Sequence, residues 1–318
     1  MRIYLSGWQA TNAEREIEVI KAKAIRHRCL SFCSVQKIPG LPYYLPRIPP
    51  VYELCKEHKI GILMDSGVIG YRSHKKYLIR LGKPITKLPT EDEFVELYVA
   101  YVKANEKDWD GYFTIDLETE DSKIYERYKR LRAMGIKPMP VYQGDGHTDF
   151  LKRYSDEGAD WIGIPYHRSE NLITYPDGRS LRQYLDAVFD AAAKLNLKLH
   201  GLGLSAAWLM LEYPWFSVDS SSWSRAAGYG CVLKFDEVTN RMSTFHISTR
   251  HSTGKGAELK LNKRAMDEIK QSLEADGFNF EELQNSFVAR HVYNGLSMLK
   301  LADAADKRHQ SGSWGLFF

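Results

Sequence analysis

Eight short, apolar, β-rich runs alternate with amphipathic stretches over the first two thirds of this 318-residue chain. The runs are residues 2–6 (RIYLS), 29–34 (CLSFCS), 60–65 (IGILMD), 112–117 (YFTIDL), 138–143 (PMPVYQ), 161–165 (WIGIP), 197–201 (LKLHG) and 216–219 (FSVD). Helical patterns fill the gaps at 12–28, 91–105, 122–134, 147–157 and 181–195. Thr90-x-x-Glu93 after Pro89 forms a capping box for the third-strand-to-fourth-strand helix. Several runs show little alternation, as expected of strands covered on both faces. Strands alternating with helices predict parallel βαβ units, and eight such units close an α/β TIM barrel. The other α/β solution, an open doubly wound sheet, lacks its usual support, because no G-x-G-x-x-G opens the first strand-to-helix turn.

The pattern changes beyond Ser220. Residues 230–235 and 242–248 predict a hairpin around 237–240. A loop rich in Ser, Thr and Gly (248–256) and two helices at 261–275 and 280–305 follow. The expected organisation is therefore a catalytic barrel over 1–225 and a hairpin-plus-helices appendage over 226–318. With 44% hydrophobic and 26% charged residues, disordered, collagen-like and coiled-coil readings are excluded. Lys+Arg total 44 against 40 Asp+Glu, a net charge of +4, too small an excess to establish a polyanionic partner. Four cysteines argue against a disulfide scaffold. No secretory h-region and no apolar run of ~18 residues occurs. These features predict a soluble, cytoplasmic protein of a reducing compartment, with no membrane association.

In a barrel, polar groups at the C-terminal ends of the strands line the active-site mouth. Here those ends carry Asp65 with Ser66 and Gly67, Asp116 with Glu118, Gln143-Gly144-Asp145, Gly163, His200 and Asp219. Any single one of them is explained as a helix cap, but six at once form a pattern. Two carboxylates across a mouth suit glycosyl transfer, one attacking the anomeric carbon and one handling the leaving-group proton. Asp116 with Gln143 presents a carboxylate and an amide that can read a guanine-like edge.

These segments, in this order, resemble the tRNA-guanine transglycosylase family. Residues 62–67 (ILMDSG) resemble the family's ILTDSGG segment, 142–144 (YQG) its VQG segment, 200–203 (HGLG) its LMGVG segment, and 216–219 (FSVD) the segment bearing its aspartate nucleophile. The resemblance implies a TIM barrel that exchanges guanine for a 7-deazaguanine. In it, Asp219 is the nucleophile and Asp65 the general acid/base. Asp116, Gln143, Gly144, Gly163, Ser66, His200 and Gly201 surround the base. The family's structural zinc set C-x-C-x-x-C is missing, since only Cys231 lies after the nucleophile strand; no metal and no cofactor is expected. Cys29-x3-Cys33 alternates along a predicted strand and reads as core. The family's Gly-Gly-Leu after the sixth strand becomes Gly163-Ile164-Pro165. These departures resemble the shorter, mostly phage-borne relatives proposed to place 7-deazaguanines in DNA, which would act in a host cytoplasm. DNA is therefore the expected polymer, tRNA the alternative, and preQ0 or a close derivative the incoming base; family resemblance also allows a homodimer.

Basic stretches at 21–28, 72–80 and 127–132 are solvated helix faces or phosphate contacts. Arg72, Lys75 and Lys76 are favoured for phosphate because they follow Asp65 at the mouth, and Arg168, beside Tyr166 and His167, is similarly placed. Trp208, Trp215 and Trp223 flank the nucleophile strand, as core residues or, for Trp223, as a stacking platform. A small-molecule glycosidase or hydrolase using Asp65 and Asp219 stays open, because barrels host many chemistries.

Overall fold

The computed structural model describes residues 1–7, 13–42, 49–116, 120–144, 148–165, 180–248 and 263–310. Seven strands, β1 (Arg2–Leu5), β2 (His27–Ser31), β3 (Gly61–Asp65), β4 (Gly111–Tyr112), β5 (Trp161–Pro165), β6 (Lys198–Leu202) and β7 (Ser217–Ser220), follow the order β4-β3-β2-β1-β7-β6-β5 in one sheet. The pairs are parallel, with Leu63 opposite Gly111, Gly163 opposite His200, and His200 opposite Ser217.

The run predicted as the fifth strand is the missing stave. Met139 N–H donates to Tyr112 O at 2.7 Å, and Thr114 N–H donates back to Met139 O at 2.8 Å. On its other side Gly163 N–H donates to Pro140 O at 2.8 Å and Tyr142 N–H to Gly163 O at 2.9 Å. Its pairing shows as single bridges, Phe113 to Met139 and Val141 to Gly163, because Pro138 and Pro140 have no N–H to donate. This segment joins the two ends of the seven-strand order and completes the eight strands of a TIM barrel.

The chain divides into two compact units, residues 28–204 with 215–219, and residues 1–27 with 205–214 and 220–318. In the first unit the helices are α2 (Phe32–Val35), α3 (Pro49–Glu57), α4 (Val68–Arg80), α5 (Glu91–Asn105), α6 (Asp121–Ala133), α7 (Asp149–Asp156) and α8 (Leu181–Lys194). The Thr90/Glu93 capping box starts α5, with Glu93 N–H donating to Thr90 Oγ1 at 3.2 Å and Thr90 N–H to Glu93 Oε2 at 2.7 Å. The buried face of that helix (Phe94, Val95, Tyr98, Val99, Val102) repeats at helical spacing. A second box, Ser180 with Gln183, starts α8.

The second unit holds α1 (Ala13–Lys21), α9 (Ala207–Glu212), α10 (Ser222–Gly228), the hairpin β8 (Cys231–Asp236) and β9 (Arg241–His246), then α11 (Lys263–Ala275), α12 (Phe280–Asn285) and α13 (Phe287–Gln310). Val232, Ile247, Ile269, Leu273, Phe280, Leu283 and Tyr293 pack into one cluster beneath the hairpin. Polar side chains of α13 stand in for a further strand along β8: Leu233 N–H donates to Asn294 Oδ1 at 2.7 Å and Phe235 N–H to Ser297 Oγ at 2.8 Å.

Several boundaries differ from the sequence reading. The predicted strand 29–34 becomes β2 and then α2, so Cys33 is helical. The helix predicted over 12–28 stops at Lys21, where Lys23 turns the chain at φ 54°. The long helix expected at 280–305 is two, broken at Ser286 in extended conformation. No helix among the described residues is long and apolar enough to cross a membrane.

Candidate active site

The candidate residues in the unit 28–204/215–219 sit where parallel strands end, because a β-to-α turn follows each apolar strand and puts its first polar residue at the rim. Asp65 is the last residue of β3. It accepts a hydrogen bond from Gly67 N–H at 3.0 Å and one from the Ser31 hydroxyl. Burial nevertheless raises its carboxyl to about 6, with the like charge of Asp219 adding to the effect. Asp116, just beyond β4, is raised to about 7, first by burial and then by the charge of Asp65, with Arg72 partly offsetting. Gln143 Nε2–H donates to Asp116 Oδ2 at 3.4 Å, so the predicted carboxylate–amide pair is in place.

Asp219 lies within β7 and is 14% exposed. Its Oδ1 accepts from Gly203 N–H at 2.7 Å and lies 3.3 Å from His200 Nε2. The other ring nitrogen, Nδ1, lies 2.8 Å from Ser217 Oγ. Ser217 and His200 are both 0% exposed, so this Ser–His–Asp sequence is no acyl-transfer triad: a nucleophilic hydroxyl must reach substrate. His200 thus faces Asp219 from within the barrel. The electrostatic reach of Asp65 and Asp219 extends to Cys29, whose thiol is pushed well up by burial and then by both carboxylates.

Two features escaped the sequence reading. Asp121, fully buried in the first turn of α6, accepts from Gln143 N–H (Oδ1, 2.7 Å) and Gly144 N–H (Oδ2, 3.1 Å). It braces the backbone that carries the amide; its only sequence signal was a carboxylate at a helix start. Gly67 is required by its surroundings: its φ is 75°, and Cys33 approaches so closely that a Cβ there would lie 2.5 Å from Cys33 Sγ. Cys33 also donates to Gly67 O at 3.2 Å.

The other predicted positions are distributed as follows. Ser66 is buried beside Asp65. Gly144 has a φ of 81° and lies against Tyr184; Gly163 packs against Leu202 and Phe113, and Gly201 against Leu204 and Trp215. Arg72, Lys75 and Lys76 lie on α4, where Lys75 pairs with Glu91 at 3.5 Å. Arg168, Tyr166, His167, Glu118 and Asp145 lie outside the described residues. Trp223 is 0% exposed and donates its Nε1–H to Ser6 O at 2.8 Å. It is a core residue and not a stacking platform. Among the described residues no cluster of three or more His, Cys, Asp or Glu side chains is arranged to hold a metal ion, and all four cysteines are free thiols.

No family model matches the chain, and no curated protein matches it. Among solved structures, a mutant tryptophan synthase alpha-subunit from the hyperthermophile Pyrococcus furiosus shares 15% identity, covering 72% of this chain and 89% of its own, at a TM-score of 0.41. A psychrophilic glycoside hydrolase family 10 endo-β-1,4-xylanase shares 11% identity over 69% of this chain and 85% of its own, at 0.39. At these scores neither bears on activity, and the barrel stands on its own strand order.

Proposed function

We propose that the chain is a base-exchange transglycosylase that replaces guanine in DNA with a 7-deazaguanine such as preQ0. The observation that carries this reading is a set of three carboxylates carried by barrel strands: Asp65 and Asp116 at the ends of the adjacent strands β3 and β4, raised to about 6 and about 7, and Asp219 on β7, held by two hydrogen-bonding groups.

A flipped guanine leaves its stack at a cost of a few kcal/mol. Asp116 accepts its N1–H and N2–H while the Gln143 amide donates to O6. An oxygen of Asp219 attacks C1′, forming the C–O bond as the C1′–N9 bond breaks, and that electron pair goes to N9. Asp65, protonated in half its copies near pH 6, gives N9 its proton. The incoming deazaguanine then loses its N9 proton to the Asp65 carboxylate and attacks C1′. The ester electrons return to Asp219, and two inversions retain configuration.

The experiment is incubation of the protein with guanine-containing duplex DNA, or with tRNA, plus preQ0, followed by mass spectrometry of the nucleosides. A deaza-nucleoside in DNA supports the reading and one in tRNA moves the substrate to RNA. One in neither removes base exchange, leaving hydrolysis of a small glycoside by the same two carboxylates. Asp219→Asn is expected to abolish both exchange and the covalent adduct; full activity in that variant would sink the scheme.

A further inference from the structure

The carboxylate of Asp219 is held asymmetrically. Gly203 N–H and His200 Nε2 both address Oδ1, at 2.7 and 3.3 Å, and among the described residues nothing donates to Oδ2. The imidazole itself has little freedom. Phe113 and Trp161 pack against it edge to face, at centroid distances of 5.2 and 6.1 Å, and Ser217 Oγ is 2.8 Å from Nδ1. A ring nitrogen facing a carboxylate oxygen must carry a proton, because two lone pairs at that distance repel. With Nε2 protonated, the neutral ring has a bare Nδ1, and the Ser217 hydroxyl 2.8 Å away is placed to satisfy it by donating. Ser217 is fully buried, so no solvent competes for that bond.

We propose that His200 and Ser217 are positioning residues: the serine fixes the ring in its Nε2–H tautomer, and the ring together with Gly203 N–H ties down Oδ1 so that Oδ2 is the reactive oxygen. This rests on the reading of Asp219 as a nucleophile. In the covalent step an Oδ2 lone pair forms the bond to C1′ while the C1′–N9 pair leaves on the base. Oδ1 becomes the carbonyl oxygen of the ester and keeps both donors throughout. A neutral donor suits that change: an ester oxygen still accepts hydrogen bonds, and a neutral imidazole leaves no charge stranded when the carboxylate is consumed.

Histidine-selective ¹⁵N labelling tests the tautomer without any assay of activity, with His200→Gln identifying the resonance. The expected spectrum has a protonated Nε2 and a bare Nδ1 in the wild type, with the two forms mixing in Ser217→Ala. An Nδ1–H ring, an imidazolium, or a tautomer untouched by Ser217→Ala overturns the proposal. Kinetics supply the second readout. His200→Leu is expected to lower kcat for exchange of labelled guanine about 10²-fold, the scale of a misplaced reacting group, with KM within threefold. His200→Gln, whose amide N–H can take the place of Nε2–H, is expected to recover most of that loss. An unchanged kcat in His200→Leu, or a folded His200→Gln as slow as the leucine variant, overturns it. Should His200→Leu fail to fold, Ser217→Ala carries the kinetic test with an expected 3- to 10-fold loss in kcat, and no loss overturns it. Should the wild type exchange no guanine, the transglycosylase reading falls while the tautomer spectrum still decides the geometry.

Discussion

A carboxyl raised to about 7 beside an amide has a consequence for binding at Asp116. A base that donates two hydrogen bonds to it prefers the ionised form, so binding and deprotonation are linked. The affinity for free preQ0 is expected to rise through pH 7 by nearly tenfold per unit below that point and to level off above it, as titration calorimetry at several pH values will show. Asp116→Asn should flatten the profile. Gly67 makes a different kind of statement. Its positive φ and the neighbouring Cys33 both exclude a side chain, so Gly67→Ala is expected to cost roughly 1–3 kcal/mol of stability. Chemical denaturation of the variant beside the wild type measures the loss. The candidate carboxylates were legible because each follows an apolar run directly. Asp121 was not, because a carboxylate opening a helix reads as a cap; what it does, receiving two N–H groups from a loop 22 and 23 residues away, exists only in three dimensions.

Among the elements, α4 stands out by charge. From Ser66 to Thr90 there are six basic residues and no acidic one. Arg72, Lys76 and Arg80 recur every four residues, so they share one helix face. Like charges at that spacing cost the helix a few tenths of a kcal/mol each, and Ile69, Tyr77 and Ile79 stay exposed beside them, Ile69 at 75%. Arg72 reaches the field of Asp116, so the row starts at the site and runs outward. If it tracks phosphates, the double variant Lys76→Gln/Arg80→Gln lowers the slope of log affinity against log salt by about 2 for duplex DNA, as fluorescence anisotropy over a salt series will measure; an unchanged slope assigns the row to solvent. Thr90→Ala should cost about 1 kcal/mol by removing the capping box of α5, read by chemical denaturation. That box and the 161–165 strand were readable from local chemistry alone. The 138–143 run was readable as a strand but not as a stave with single bridges, since its prolines donate no N–H and Pro140 pairs only by its carbonyl, which accepts from Gly163 N–H. The stop at Ser286 carried no Gly or Pro to announce it.

At the scale of the molecule, the site works against the fold. Asp65 and Asp116 are both raised above their ordinary values, first by burial and also by Asp219 and Asp65 respectively. Between about pH 4, where these groups titrate in the unfolded chain, and pH 6–7, where they titrate in the folded one, the native state holds protons that the unfolded state has released. Their contribution to stability is therefore complete below pH 4 and lost as pH rises through 6 and 7. Removing either charge is expected to stabilise the protein at pH 8, by an amount on the order of 2–4 kcal/mol from the sizes of the shifts. Most of the gain should be gone at pH 4, where the wild-type carboxyls are neutral in the folded state and about half protonated in the unfolded one. Because part of the rise at Asp116 comes from the charge on Asp65, the two gains cannot add: once Asp65→Asn is made, Asp116 ionises more easily and has less to lose. Urea unfolding of the wild type, both single variants and the double variant at pH 4 and pH 8 closes the cycle. A double variant falling short of the summed gains at pH 8, and within about 1 kcal/mol of the wild type at pH 4, identifies a strained carboxylate pair that folding tolerates for the chemistry of the site. Fully additive gains would mean that the two groups do not share a field, and a loss of stability in either single variant at pH 8 would mean that its hydrogen bonds outweigh its desolvation.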